Sequence, residues 1–197
     1  MNPDLLIINE HSSDKYPPRT YYNATSADLT LALAVDLNTA GEKLTHKAAG
    51  DKYIGFQLTP NLSMLEIARP LFKALRDKGA RSLNIAGNGI YTLIKYECDQ
   101  KSINQFVYSL ITQVHHFYPL EKIYTGGQTG VDIAGAVAGY ALGIPTEVTL
   151  PKGFLQRFED NKDVQRSQDL VFELIDSGAK ALEPFSPIIT KRQTVKP

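Results

Sequence analysis

The chain has 197 residues, 43% of them hydrophobic, and its 21 Lys plus Arg balance its 21 Asp plus Glu. Such a composition fits one domain of ordinary size with a real core and disfavours a duplex-binding protein, which carries a basic excess, so nucleic acid is not an expected partner. The single cysteine, Cys98, excludes an intrachain disulfide framework and a cysteine-rich centre, and no metal site is expected.

The opening stretch MNPDLLIINEHSSDKYPPRT has no basic leader, and its apolar run is four residues, Leu5–Ile8. Neither a signal peptide nor a membrane span is expected, which points to the cytoplasm. DLTLALAV (Asp28–Val35) predicts a buried strand, AGEKLTHKAAG a short helix, and KYIGFQL (Lys52–Leu58) a second strand. In NLSMLEIARPLFKALRDKG, Leu62, Leu65, Ile67, Ala68, Leu71, Phe72 and Leu75 fall mostly on one helical face; Pro70 marks a kink and Gly79 the C-terminal stop. SLNIAG predicts a third strand, and Ile90 to Phe117 a long helical stretch broken near Asp99–Ser102. KIYTGG is a fourth strand, Val131–Leu142 a helix, TEVTLP a fifth strand, Val164–Ile175 a last helix and AKALEP a short strand.

Strands alternating with helices predict parallel βαβ units. The fold class expected is α/β: a doubly wound, mostly parallel Rossmann-like sheet with helices on both faces. It spans residues 1–197 as a single domain, with an extended tail, PFSPIITKRQTVKP, from about residue 185.

Ligands of such sheets sit beyond the carboxyl ends of the strands. Four stretches follow strands directly: DLNTAGEKLT, AGNGIY, TGGQTGVD and LPKGF. In TGGQTGVD, Gly126, Gly127 and Gly130 allow close approach, and Thr129 is a candidate cap for a helix whose N-terminus attracts an anion. Gln128 is a candidate for reading a ligand edge, and Asp132 for accepting a ribose hydroxyl or capping the helix. The alternative is a glycine turn that only packs helix against sheet, since the loop matches neither a Walker sequence nor GxGxxG. In NTAGEKLT, Thr39 and Gly41 open a helix that carries Glu42, a sugar-hydroxyl candidate, Lys43, a phosphate candidate, and Thr45; a solvated helix start is the alternative. Gly87 and Asn88 in AGNG, and Lys152 in PKG, complete the set, a surface lysine being the alternative for the last. His115 and His116 are neighbours, which do not share a helical face, so they read as a helix end. Glu159, Asp160 and Asp163 read as a solvated loop. No catalytic triad stands out.

IYTGGQTGVDIAGAVAGYALGIP followed by LPKGF resembles the opening of the molybdenum-cofactor carrier family, a GGQTGVD loop followed by a PKG segment. RTYYNATSADLTLALAVDLNTAGEKLTHKAAGDKYIGFQL resembles that family's later stretch, in which RT-x-x-N precedes a strand, a TGGT-like turn, a helix and a strand; this adds Arg19 and Asn23 to the candidates. LNIAGNGIY resembles its closing NVAGPR…GIY. The matches touch most of Arg19 to about Phe158, in the same cyclic order but cut at a different loop, as in a circular permutation. Permuted arrangements occur in the SLOG superfamily of Rossmann-like folds, whose members include nucleotide-ligand sensors, DNA-processing proteins and cytokinin-activating phosphoribohydrolases. Two departures matter. NTAGEKLTHKA lacks the double glycine and glutamate of the phosphoribohydrolase PGGxGTxxE motif, and the carrier's GGT turn is replaced by Ala40–Gly41–Glu42–Lys43. The resemblance implies a phosphate-containing, nucleotide-like ligand, ADP-ribose- or NAD-derived, that is carried, sequestered or sensed, and a homodimer or tetramer. A nucleotide N-glycosidase or phosphohydrolase using Glu42 or Asp132 is one alternative, and a carrier of the molybdenum cofactor is another.

Overall fold

The structure, a computed structural model, describes residues 1–185; the expected tail beyond them lies outside the described residues. Six strands form one sheet in the order β1-β6-β5-β4-β2-β3: β1 Leu6–Glu10, β2 Leu29–Ala34, β3 Tyr53–Gln57, β4 Ser82–Gly87, β5 Lys122–Thr125 and β6 Thr146–Leu150. Every neighbouring pair is parallel. The helices between and after them are α1 Tyr16–Ser26, α2 Ala40–Ala49, α3 Met64–Lys78, α4 Ile90–Leu93, α5 Gln100–Phe117, α6 Val131–Ala141 and α7 Gln168–Lys180. The sheet is doubly wound and Rossmann-like, as the alternation of elements predicts.

Successive strand residues point to opposite faces. On β2 and β4, Leu29, Leu31, Leu33, Leu83 and Ile85 join a buried cluster with Ile67, Leu71 and Leu75 of α3 and Val107, Leu110 and Ile111 of α5. A second cluster packs α6 and α7 against β1 and β6. The alternate positions, Thr30, Ala32, Ala34, Asn84 and Ala86, therefore face the other side, which α1 and α2 cover. Small side chains there leave space between helix and sheet that Leu or Ile would fill.

The chain runs from β2 outward to β3, then returns across β2 to β4 and continues the opposite way to β5 and β6. Strand order thus reverses between β2 and β4, where open α/β sheets form their ligand crevice.

Gly79 stops α3 in the left-handed conformation, as predicted; the helix runs through Pro70, and Ser63 and Glu66 close a capping box at its start that the sequence expectations do not name. Asp99 caps α5 after a break in which Glu97 takes φ +58°. Other elements differ. β1 and α1 have no counterpart among the sequence expectations, because α1 opens with Pro17 and Pro18 and is rich in Tyr, Thr and Asn, poor helix formers held by tertiary packing. The last helix begins after its cap Ser167, later than expected, because Val164 belongs to a two-residue strand. That strand, β8 Asp163–Val164, pairs antiparallel with β7 Gln156–Arg157. The strand expected over Ala179–Pro184 is instead the end of α7 and a run of turns. The Leu182 N–H donates to the Ala179 carbonyl at 3.0 Å, and the Leu182 side chain is buried.

Candidate functional site

A cavity of about 390 Å³ opens at the carboxyl ends of β2, β4 and β5, between α1 and α2. Eleven of the residues singled out in the sequence line it: Arg19, Asn23, Thr39, Gly41, Glu42, Thr45, Gly87, Asn88, Gly126, Gln128 and Asp132. Five do not: Gly127, Thr129, Gly130, Lys43 and Lys152. Both lysines are exposed.

The glycine loop after β5 is shaped by contacts within the protein. Arg19 of α1 reaches across it to Asp132 on α6, Nη1 to Oδ2 at 3.0 Å, with side chains only 11% and 5% exposed. A Cβ at Gly126 would overlap both the guanidinium and the carboxylate. Gly130 takes φ +104°, and a Cβ there would lie 2.5 Å from the Asn88 carbonyl oxygen. The N-terminal amides of α6 are also engaged: Gly130 N–H donates to Gln100 Oε1 at 2.6 Å, Val131 N–H to the Asn88 carbonyl at 3.2 Å and Ile133 N–H to the Gln128 carbonyl at 3.0 Å. Gln128 clamps the segment before β7, its Nε2 donating to the Leu155 carbonyl at 2.6 Å while its Oε1 accepts from Arg157 N–H at 2.9 Å. The Thr129 hydroxyl donates to the Arg157 carbonyl and does not cap the helix.

Glu42 sits opposite this loop. Thr39 caps α2, its hydroxyl oxygen accepting from Glu42 N–H at 3.3 Å, and this first turn directs the Glu42 side chain inward, where it is 2% exposed. Its Oε1 accepts from Asn88 Nδ2 at 3.4 Å, and its Oε2 is buried without a partner. Burial, followed by the negative charge of Asp132, pushes the Glu42 carboxyl up to about 8, so it is mostly protonated at neutral pH. Burial also pushes Asp132 upward, opposed by Arg19 and by the Gln128 N–H at 3.4 Å. Asn88 holds the turn before α2, its Oδ1 accepting from Asp36 N–H at 3.0 Å and its Nδ2 donating to the Asp36 carbonyl at 3.2 Å.

Several lining residues lie outside the sequence candidates. Asn84, on β4, is a polar residue within a buried apolar strand, a signal visible in SLNIAG. Tyr16 and Arg157 stand at the mouth: the Tyr16 hydroxyl donates to Asp163 Oδ1 at 2.6 Å, and Arg157 Nε pairs with the same carboxylate at 2.9 Å. Burial and the bond to Asp163 raise the Tyr16 phenol. Asp163 thus has a structural partner, whereas Glu159 and Asp160 are exposed as expected. His115 closes the end of α5, its Nδ1 accepting from Leu120 N–H at 3.0 Å. Among the described residues no group of His, Cys, Asp and Glu is arranged to hold a metal ion, and no helix is long and apolar enough to cross a membrane. The chain matches no protein-family model, no curated protein and no solved structure.

Proposed function

We propose that the chain binds a nucleotide-like small molecule in the cavity between α1 and α2, and holds it as a carrier, sponge or sensor. One observation carries this reading. Four side chains that line the cavity, Arg19, Asn23, Glu42 and Asn84, each bury a polar atom with no partner in the protein. Buried polar groups without partners are costly, and four of them on residues around one cavity support the reading that it takes an occupant. The position at the reversal of strand order and a volume within the roughly 300–1,000 Å³ of small-molecule sites support it.

Holding is favoured over conversion because Asp132 is tied to Arg19 and to the Gln128 amide. That leaves Glu42 as the acid with a free oxygen, where glycoside hydrolysis ordinarily uses two carboxyl groups. A second reading, a nucleotide N-glycosidase, is favoured by Glu42 itself, since a carboxyl protonated near neutrality is suited to general-acid catalysis.

Native mass spectrometry of the full chain, before and after adding NAD, ADP-ribose, its cyclic isomers, AMP and a molybdopterin source, separates these readings. An added mass equal to an intact nucleotide supports carrier or sponge. Loss of that nucleotide with a smaller fragment retained makes the protein an enzyme, and molybdenum in the purified protein makes the cofactor its cargo. If no added mass appears with any of them, the ligand reading fails.

A further inference from the structure

Of the residues that line the cavity, Pro17, Ala40, Gly41, Arg157 and Asn161 are exposed, and they mark its rim. The first three belong to the opening turns of α1 and α2. The other two come from the β7–β8 hairpin, Arg157 from β7 and Asn161 from the turn between the strands.

The two sides of that hairpin are held differently. β7 is fastened to the glycine loop: Gln128 engages the Leu155 carbonyl and the Arg157 N–H, Gln156 Nε2 donates to the Gly127 carbonyl at 2.7 Å, and the Thr129 hydroxyl donates to the Arg157 carbonyl. Gln156 is fully buried, whereas residues 159–165 are all exposed. The turn is closed by its own bonds, Phe158 N–H to the Lys162 carbonyl at 3.2 Å and Asn161 N–H to the Phe158 carbonyl at 3.0 Å, and Arg157 pairs with Asp163 across the hairpin at 2.9 Å. Among the described residues, one hydrogen bond joins the turn and β8 to anything beyond the hairpin and its flanking loop. The Tyr16 hydroxyl of α1 donates to Asp163 Oδ1 at 2.6 Å, and Arg157 lies over the same ring, 5.3 Å from its centre. Tyr16 itself lines the cavity.

This link persists at neutral pH and yet gives easily. The bond from Arg157 lowers the Asp163 carboxyl, and burial together with the bond to Asp163 raises the Tyr16 phenol, so acceptor and donor both keep their forms. The Arg157 and Asp163 side chains are 44% and 35% exposed, and contacts so open to water are worth little. An exposed turn tied to the wall by one such contact belongs to the low-stability end of local opening.

We propose that the turn between β7 and β8 is a gate on the cavity, pivoting on the anchored β7 and latched against α1 by the Tyr16 hydroxyl on Asp163. Gln128 and Thr129 of the glycine loop serve as its seat. The proposal concerns entry to the cavity and not the identity of its occupant, so its failure leaves the nucleotide-like reading standing.

Thiol accessibility tests it without a ligand. Ala86→Cys places a thiol on the sheet wall of the cavity, in a full chain in which Cys98→Ser removes the native one. Its rate of reaction with dithiobis-nitrobenzoate is measured at neutral pH with and without Tyr16→Phe, which deletes the hydroxyl and keeps the ring. Loss of this charge-assisted bond should raise the rate about tenfold or more. Asp163→Ala breaks the same bond from the other side; it should give at least as large a rise, and it decides if Tyr16→Phe does not fold. Thr45→Cys, on the α2 wall, replaces Ala86→Cys if that variant does not fold. Native Cys98, half-buried against the α3–α5 core, reports general loosening, and in the chain that retains it its rate should not change with Tyr16→Phe. An equal or slower rate at the cavity thiol overturns the proposal, as does a parallel rise at Cys98.

Discussion

Replacing Glu42 by glutamine isolates the energetic consequence of a buried acid at neutral pH. In the fold the carboxyl is pushed up to about 8 from an ordinary value of 4.5, first by burial and then by Asp132. Between those two values the folded chain holds a proton that the unfolded chain has lost, so stability falls as pH rises through this window. A displacement of that size is worth about 3–5 kcal/mol for a group this deeply buried. Stability from this source is fully present below about pH 4.5 and lost once pH passes about 8. Glutamine keeps the shape and the acceptor for Asn88 but cannot ionise. The two chains should be within about 1 kcal/mol of each other in mild acid. In mild base the variant should be the more stable by about 3–5 kcal/mol. The upward pull on Asp132 has the same sign in both chains and largely drops out of the difference. The chain has no tryptophan, so urea unfolding is best followed by far-UV circular dichroism across that pH range. Parallel pH curves for the two chains would refute the reasoning.

Gly126→Ala should lose about 3 kcal/mol in the same urea assay, because the new methyl overlaps the buried Arg19–Asp132 pair. Gly41→Ala is the contrasting case: nothing lies within 4 Å of its Cβ position, and a gain of about 0.5–1 kcal/mol is expected. Arg19→Met leaves Asp132 buried without its cation, costing about 3–5 kcal/mol at neutral pH. That loss should shrink as pH is lowered and Asp132 takes up a proton, which a purely steric defect would not do. Ala86→Leu places a large side chain in the cavity from the sheet floor, so the roughly 2.7 kcal/mol of protection expected from a nucleotide at about a hundredfold over its Kd should vanish in thermal melts of this variant.

Five of the six strands were legible as short apolar runs alternating with helices, several of which carry their own caps; the edge strand β1 was not. The crevice was legible for a related reason: a parallel sheet places every loop that follows a strand along one edge. What occupies the space beside a glycine was not. Gly126 makes room for Arg19, which comes from a distant part of the chain, so no local pattern distinguishes that use from ligand approach. Lys43 and Glu42 illustrate a second limit. Neighbours on a helix do not share a face, and once Thr39 sets the first turn, Glu42 points inward and Lys43 outward. Asn84 was readable in principle, since a polar residue within a buried strand needs a reason to be there. The α1 wall was not, because its residues favour a helix only in the company of the sheet and α2.

That wall gives the cavity a late assembly. β1, which leads into α1, pairs only with β6, Leu6 opposite Thr146 and Glu10 opposite Leu150. During synthesis from the amino terminus, β2, β3, β4 and β5 can stack as they emerge, while β1 must wait for β6, and Arg19 and Asn23 of α1 for Asp132 and Thr149. The cavity is therefore complete only once the chain has been made as far as Asn161, its last lining residue.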